Sequence, residues 1–150
     1  MRAVIQRVNF CTVIIDNKEF SKINKGILVL LGIAKDDTQQ DIQWLAKKIV
    51  NLRIFNDQTG KMNKSLLDID GEIMIVSQFT LFASTKKGTR PSYSHSAPPE
   101  IAIPLYNAFI EEVKRLVPKK VQTGLFGAYM KLKFENDGPV TICIDTKNKE

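Results

Sequence analysis

Two hydroxyls and a run of consecutive backbone amides fall together in Ser77-Gln78-Phe79-Thr80-Leu81, the segment best equipped to act on an acyl bond. A hydroxyl nucleophile needs an adjacent base, itself held by a third group. The chain has one histidine, His95, in a loop-like stretch with no carboxylate placed to orient it. Ser77 is therefore read as satisfying backbone groups at a strand end, the common fate of Ser and Thr there. For Thr80 that reading and the nucleophile reading both stand. Without a Ser-His-Asp pattern, an esterase of small acyl substrates is disfavoured.

Other residues with chemical potential are scattered. Gly138-Pro139 reads locally as a plain turn, since only about 5–6% of X–Pro bonds in folded proteins are cis. Arg7 sits among apolar residues of a strand, where a solvated edge arginine is the bland alternative. Lys86, Lys87 and Arg90 form a basic loop suited to phosphates. Met130 and Phe126 read as ordinary core. Cys11 and Cys143 are too few for a disulfide framework and are not spaced as metal ligands; both are expected to be buried thiols. No ligand cluster implies a metal, and no motif implies a cofactor.

The elements that must position these residues follow from periodicity. The chain has 150 residues, 43% apolar and 25% charged, which fits a single globular domain. No run approaches the ~20 apolar residues of a membrane helix, and the first residues lack the pattern of a secretion signal, so a cytoplasmic protein is expected. Strands are expected over residues 4–8 and 12–15, joined near Asn9, and over the apolar run 26–33. Thr38 caps a helix, with Asp41 in its first turn and Ile42, Leu45, Ile49 and Leu52 on one face. Turn residues occupy 56–60, and a strand spans 72–79. Residues 83–99 form a loop. A second helix runs to about Leu116 with Ile101, Leu105, Phe109, Val113 and Leu116 as its apolar face, and Pro104 in its first turn or at a kink. A turn at 124–127, an alternating stretch at 130–134, a strand at 140–144 and a frayed tail at 146–150 complete a strand-rich α+β chain, two helices covering a sheet.

Six segments, in order and spanning almost the whole chain, resemble the D-aminoacyl-tRNA deacylase family. They are residues 4–8, Gly60-Lys61-Met62-Asn63, Val76-Ser77-Gln78-Phe79-Thr80-Leu81, residues 87–92, residues 123–130 and Asn136-Asp137-Gly138-Pro139-Val140-Thr141. Tyr93 departs mildly from a position where many members carry Phe. The resemblance implies a homodimer with twisted, mainly antiparallel sheets, barrel-like across the interface, and an active site there that receives the 3′ end of aminoacyl-tRNA. It implies hydrolysis of D-aminoacyl-tRNA, and of glycyl-tRNA mischarged on tRNA-Ala, without metal or cofactor. Catalysis would rest on backbone groups of Ser77, Gln78, Phe79 and Thr80 and on the RNA 2′-hydroxyl. The amides of Gln78, Phe79 or Thr80 are then the expected oxyanion donors. Gly138 and Pro139, joined by a cis bond, would be inserted from the partner subunit to hold the α-ammonium and exclude L side chains. Arg7 would brace that loop across the interface, Met130 and Phe126 would lie near the pocket, and Lys86, Lys87 and Arg90 would meet acceptor-stem phosphates.

The net charge of +6 would equally suit a non-catalytic RNA-binding module. Such a module calls for stacking aromatics on a basic surface, and only Trp44, Tyr93 and Tyr129 are candidates.

Overall fold

The computed structural model describes residues 1–149, and its frame is one long hairpin. Strand β1 (Arg2–Ile15) turns at Asp16-Asn17, whose φ values of 50° and 60° suit the two-residue turns that match strand twist. The return arm is β2 (Lys18–Ile23) followed by β3 (Gly26–Gly32), both antiparallel to β1. The expected junction near Asn9 is absent. Asn9 faces solvent within β1, and its amide donates to Glu135 Oε1 of the neighbouring strand at 2.5 Å.

That neighbour, β8 (Lys131–Asp145), follows the other edge of β1 from Arg2↔Asp145 to Ile14↔Lys131. The stretches 130–134 and 140–144 are thus parts of one strand. Beyond β3 the sheet turns parallel: β6 (Glu72–Ser77) pairs with β3, and β7 (Val121–Thr123) with β6. Antiparallel pairing therefore dominates only on the β1 side. A small hairpin of β4 (Phe55–Asn56) and β5 (Met62–Lys64) stands apart. The main sheet curls until Ser21 Oγ on β2 donates to the Thr123 carbonyl at 2.7 Å, so the barrel is nearly closed.

Side chains of β3 and β6 alternate between two cores, which explains the unbroken apolar run at 26–32. Leu28, Met74 and Val76 join Val8, Cys11, Val13 and Ile23 inside the curl. Burial there pushes the Cys11 thiol up to about 11. Ile27, Val29, Leu31, Ile73 and Ile75 point the other way, against two helices. Cys143, expected to be buried, is exposed on the outer face of β8.

Helix α1 (Gln39–Asn51) starts with the expected capping box between Thr38 and Asp41 and buries Ile42, Leu45 and Ile49. Helix α2 (Pro99–Leu116) ends at Val117 before Pro118, with Pro104 in its interior on the exposed side. Its buried face is Ala102, Tyr106, Phe109, Ile110 and Val113, turned from the expected stripe. Ile101 is exposed, and Leu105 and Leu116 are only half-buried. Tyr106 is the reason: its hydroxyl donates to the Ile75 carbonyl at 2.9 Å, so a polar-tipped residue takes the inward position.

The tail is not frayed. Thr146 is buried, its hydroxyl accepting from the Met1 ammonium at 2.7 Å, and Lys147 pairs with Asp41 at 2.9 Å. The Met1 ammonium also donates to Asp37, whose second oxygen accepts from Ala34 N–H. Residue 150 lies outside the described residues. Among the described residues, no helix is long and apolar enough to cross a membrane.

Candidate active site

The end of β6 shapes the site. Its ladder with β3 persists one residue past the strand, because Gln78 N–H donates to the Leu31 carbonyl at 2.7 Å. The chain then winds into a short 3₁₀ turn, Phe79–Phe82, closed by Leu81 N–H to Gln78 O and Ala83 N–H to Thr80 O. The turn lies on the end of β3 at Gly32, where a Cβ would stand 3.1 Å from both the Gln78 carbonyl and Leu81 Cβ. Glycine suits that close approach, since a Cβ would press the turn outward by a few tenths of an ångström.

The expected donors now separate. The Gln78 amide is occupied, which removes it from the set of oxyanion donors. The amides of Phe79 and Thr80 open the turn and have no hydrogen-bond acceptor among the described residues. The hydroxyls also differ from expectation. Thr80 Oγ1 accepts from the Gln78 side-chain amide rather than serving a backbone group. Ser77 lines the adjacent cavity, and its hydroxyl serves no backbone group among the described residues. His95 is exposed and does not line the cavity, so the chain's one histidine serves neither hydroxyl as a base.

The cavity holds about 560 Å³ and is walled mainly by apolar groups, within the size range of small-ligand sites. Its floor is Leu31 and Ile33 at the end of β3 and Ser77 to Phe79. The loop of residues 83–98 forms one wall, pinned by reciprocal bonds between Ser84 and Ser92, and by Ala97 N–H to Ile33 O at 2.9 Å. Ser96 Oγ donates to the Phe79 carbonyl at 2.7 Å. The Tyr93 ring meets Phe79 edge-on, with centroids 5.0 Å apart. Ala102 and Phe126-Gly127 close the far side, with Phe126 against Tyr106 at 5.7 Å. Burial raises the Tyr106 phenol above its ordinary value, a Ser77 backbone hydrogen bond opposing it. The phenol therefore stays neutral and acts as a strut between α2 and β6. Lys35 supplies the one cation of the lining.

Phe126 lines this cavity. Met130 does not; it packs on the core inside the curl, its sulfur against Gly124. Lys86, Lys87 and Arg90 are exposed in the loop, without an ion-pair partner among the described residues. Among those residues, no three His, Cys, Asp or Glu side chains gather as metal ligands would.

Gly138-Pro139 lies elsewhere. The β1–β8 register jumps from Gln6↔Thr141 to Val8↔Asn136, so residues 137–140 bulge from the ladder opposite Arg7. Asn136 closes the bulge by accepting from Val140 N–H and donating to Thr141 Oγ1, both at 3.0 Å. The Gly138-Pro139 bond is cis, and Gly138 has φ 130°. Both residues are exposed and neither lines the cavity of its own chain. Arg7 is 7% exposed, not a solvated edge residue. It donates to the Asp137 carbonyl at 3.1 Å and the Ile54 carbonyl at 2.7 Å, and pairs with the Asp137 carboxylate at 3.1 Å. A brace on this loop is thus made within one chain.

Sequence reasoning overlooked Ser96, Lys35 and Ala102, and gave Tyr93 no place beside Phe79. A signal existed, because loops longer than about 12–15 residues without structure of their own are usually functional.

A curled sheet with helices on one face, and an apolar cleft where a strand ends in unpaired amides, defines an enzyme-like site without a nucleophile–base pair. The family model described as D-Tyr-tRNA(Tyr) deacylase matches residues 4–145. A relative from Parabacteroides distasonis, named D-aminoacyl-tRNA deacylase, is 62% identical over 150 residues, with 100% of each chain covered. One of the same name from Thermosipho melanesiensis is 57% identical, with 98% of each covered. A solved structure named c-Myc DNA Unwinding Element Binding Protein superposes with a TM-score of 0.92 at 43% identity, over 97% of this chain and 98% of that one. The chain belongs to the D-Tyr-tRNA(Tyr) deacylase family.

Proposed function

We propose that this chain, a hydrolase by its family, cleaves the ester of D-aminoacyl-tRNA in the cytosol, at a site completed by a second copy of itself. Water adds to the ester carbonyl, and the amides of Phe79 and Thr80 receive the developing oxyanion. The bond to the terminal ribose then breaks. The departing 3′-oxygen takes the proton that the attacking water gives up, relayed through the neighbouring 2′-hydroxyl, releasing free D-amino acid and tRNA. The observation that carries this reading is the pair of amides, unpartnered among the described residues, beside a cavity that the one histidine does not reach.

Chirality is selected by exclusion. Gly138 and Pro139 of the partner subunit hold the α-ammonium, so an L side chain would be driven against rigid backbone. Exposure of this loop, away from its own cavity, supports a partner as recipient. Glycine has no side chain to exclude, so glycyl-tRNA mischarged on tRNA-Ala is also a substrate. Lys86, Lys87 and Arg90 meet phosphates of the acceptor stem.

The test is release of amino acid from D-tyrosyl-tRNA, L-tyrosyl-tRNA and glycyl-tRNA. The first and third should be hydrolysed and the second spared. Turnover of the L-ester would refute the filter, and binding without turnover would indicate an RNA-binding module.

A further inference from the structure

We infer that Ser96 is a positioning residue for deacylation, aiming the Thr80 amide through the peptide it shares with Phe79. The inference rests on the donor role given to that amide above.

A peptide unit is planar, so fixing its carbonyl also fixes the direction of its N–H. Three successive peptides across the turn are each anchored on one side. The Gln78 N–H is tied to the Leu31 carbonyl, and the Gln78 carbonyl accepts from Leu81 N–H at 3.2 Å. The Phe79 carbonyl accepts from Ser96 Oγ at 2.7 Å. The second anchor orients the Phe79 N–H; the third, added to the turn's own i→i+3 bond on the Phe79 carbonyl, orients the Thr80 N–H, while both donors stay unengaged. Of these three anchors, only Ser96 is a side chain and can be removed without rebuilding the backbone.

Ser96 is itself rigidly held. Its N–H donates to the Tyr93 carbonyl at 3.0 Å, its backbone bridges to Ala34, and the next residue is tied to Ile33 at the end of β3. The hydroxyl therefore refers the turn to the same strand that anchors Gln78. A donor on the carbonyl also polarises the shared amide, strengthening Thr80 N–H toward an oxyanion. Such help is greatest when the acceptor carries full charge, so it favours the transition state over bound substrate.

Single-turnover hydrolysis of D-tyrosyl-tRNA with excess enzyme separates this role from a structural one. Ser96→Ala should lower the saturating rate roughly five- to tenfold, the equivalent of one hydrogen bond, while half-saturation stays unchanged. Ser96→Thr, which keeps the hydroxyl, should recover most of the rate, and both variants should melt near the wild-type temperature. An unchanged rate in Ser96→Ala would overturn the assignment. So would rate, half-saturation and melting temperature worsening together without recovery in Ser96→Thr. A wild-type protein without turnover would instead bring down the donor reading itself, and this inference with it.

Discussion

The turn at Phe79–Phe82 and the bulge at residues 137–140 are both short, irregular interruptions of β-structure, yet they are built for opposite surroundings. The turn is fastened at successive peptides to β3 and to the 83–98 loop, faces a cavity of its own chain and leaves two donors open. The bulge is fastened only at its base, by Arg7 and Asn136, and carries its tip into solvent. One element receives and the other is presented. In the proposed function the two meet only between chains, which is why a second copy enters it as part of the site.

Mixing two disabled chains would break or establish that comparison most directly. Phe79→Pro deletes one donor at the first position of the turn, where proline is tolerated. It should cost about 10²–10³ in rate, whereas Phe79→Ala, which keeps the N–H, should cost far less. Gly138→Ala places a Cβ 2.9 Å from Val140 Cγ2 and 3.1 Å from Arg7 Nη2 on a backbone of positive φ, and should disable the bulge. If turn and bulge meet across an interface, an equimolar mixture after subunit exchange should regain about a quarter of wild-type activity, since half the dimers carry one intact site. No recovery after verified exchange would place both elements in one chain's site.

A smaller effect concerns the base of the bulge. Arg7→Met leaves the Ile54 and Asp137 carbonyls without their donor and should destabilise the fold by about 1–3 kcal/mol in denaturant titration. Deacylation should fall further than that loss of folded protein explains. Activity tracking the folded fraction alone would make Arg7 a structural residue only. Smaller still is Thr80→Ala, expected to stay within about tenfold of wild type because it keeps the backbone donor. A loss of several orders of magnitude with the fold intact would restore the hydroxyl as nucleophile.

Much of the turn was legible in the chain, because Ile73 and Ile75 alternate inward until Ser77 and a polar step follow. Which amides are free was not, since that depends on a carbonyl 47 positions away, on Leu31. The long hairpin was obscured because β2 is largely exposed and polar, so the Asp16-Asn17 turn lacked an apolar strand behind it. Tyr106 misled the reading of α2 because its buried hydroxyl is satisfied only by a carbonyl of another element. Periodicity reports which residues are buried against one face. It carries no account of bonds between distant backbones, nor of an opposing subunit.

The smallest effect probes the outer side of the loop whose inner side holds Ser96. Lys86, Lys87 and Arg90 should act on tRNA as screened charges: each lost phosphate contact lowers the slope of log affinity against log salt by roughly 0.7–0.9. Replacing all three with alanine should therefore flatten the salt dependence of tRNA binding while leaving the saturating rate untouched. Variants of the turn should do the reverse, changing the saturating rate and leaving the slope alone. One loop would then serve both functions, with its charges gathering RNA and its Ser96 hydroxyl orienting the donor. An unchanged slope in the triple variant would confine the loop's contribution to the cavity side.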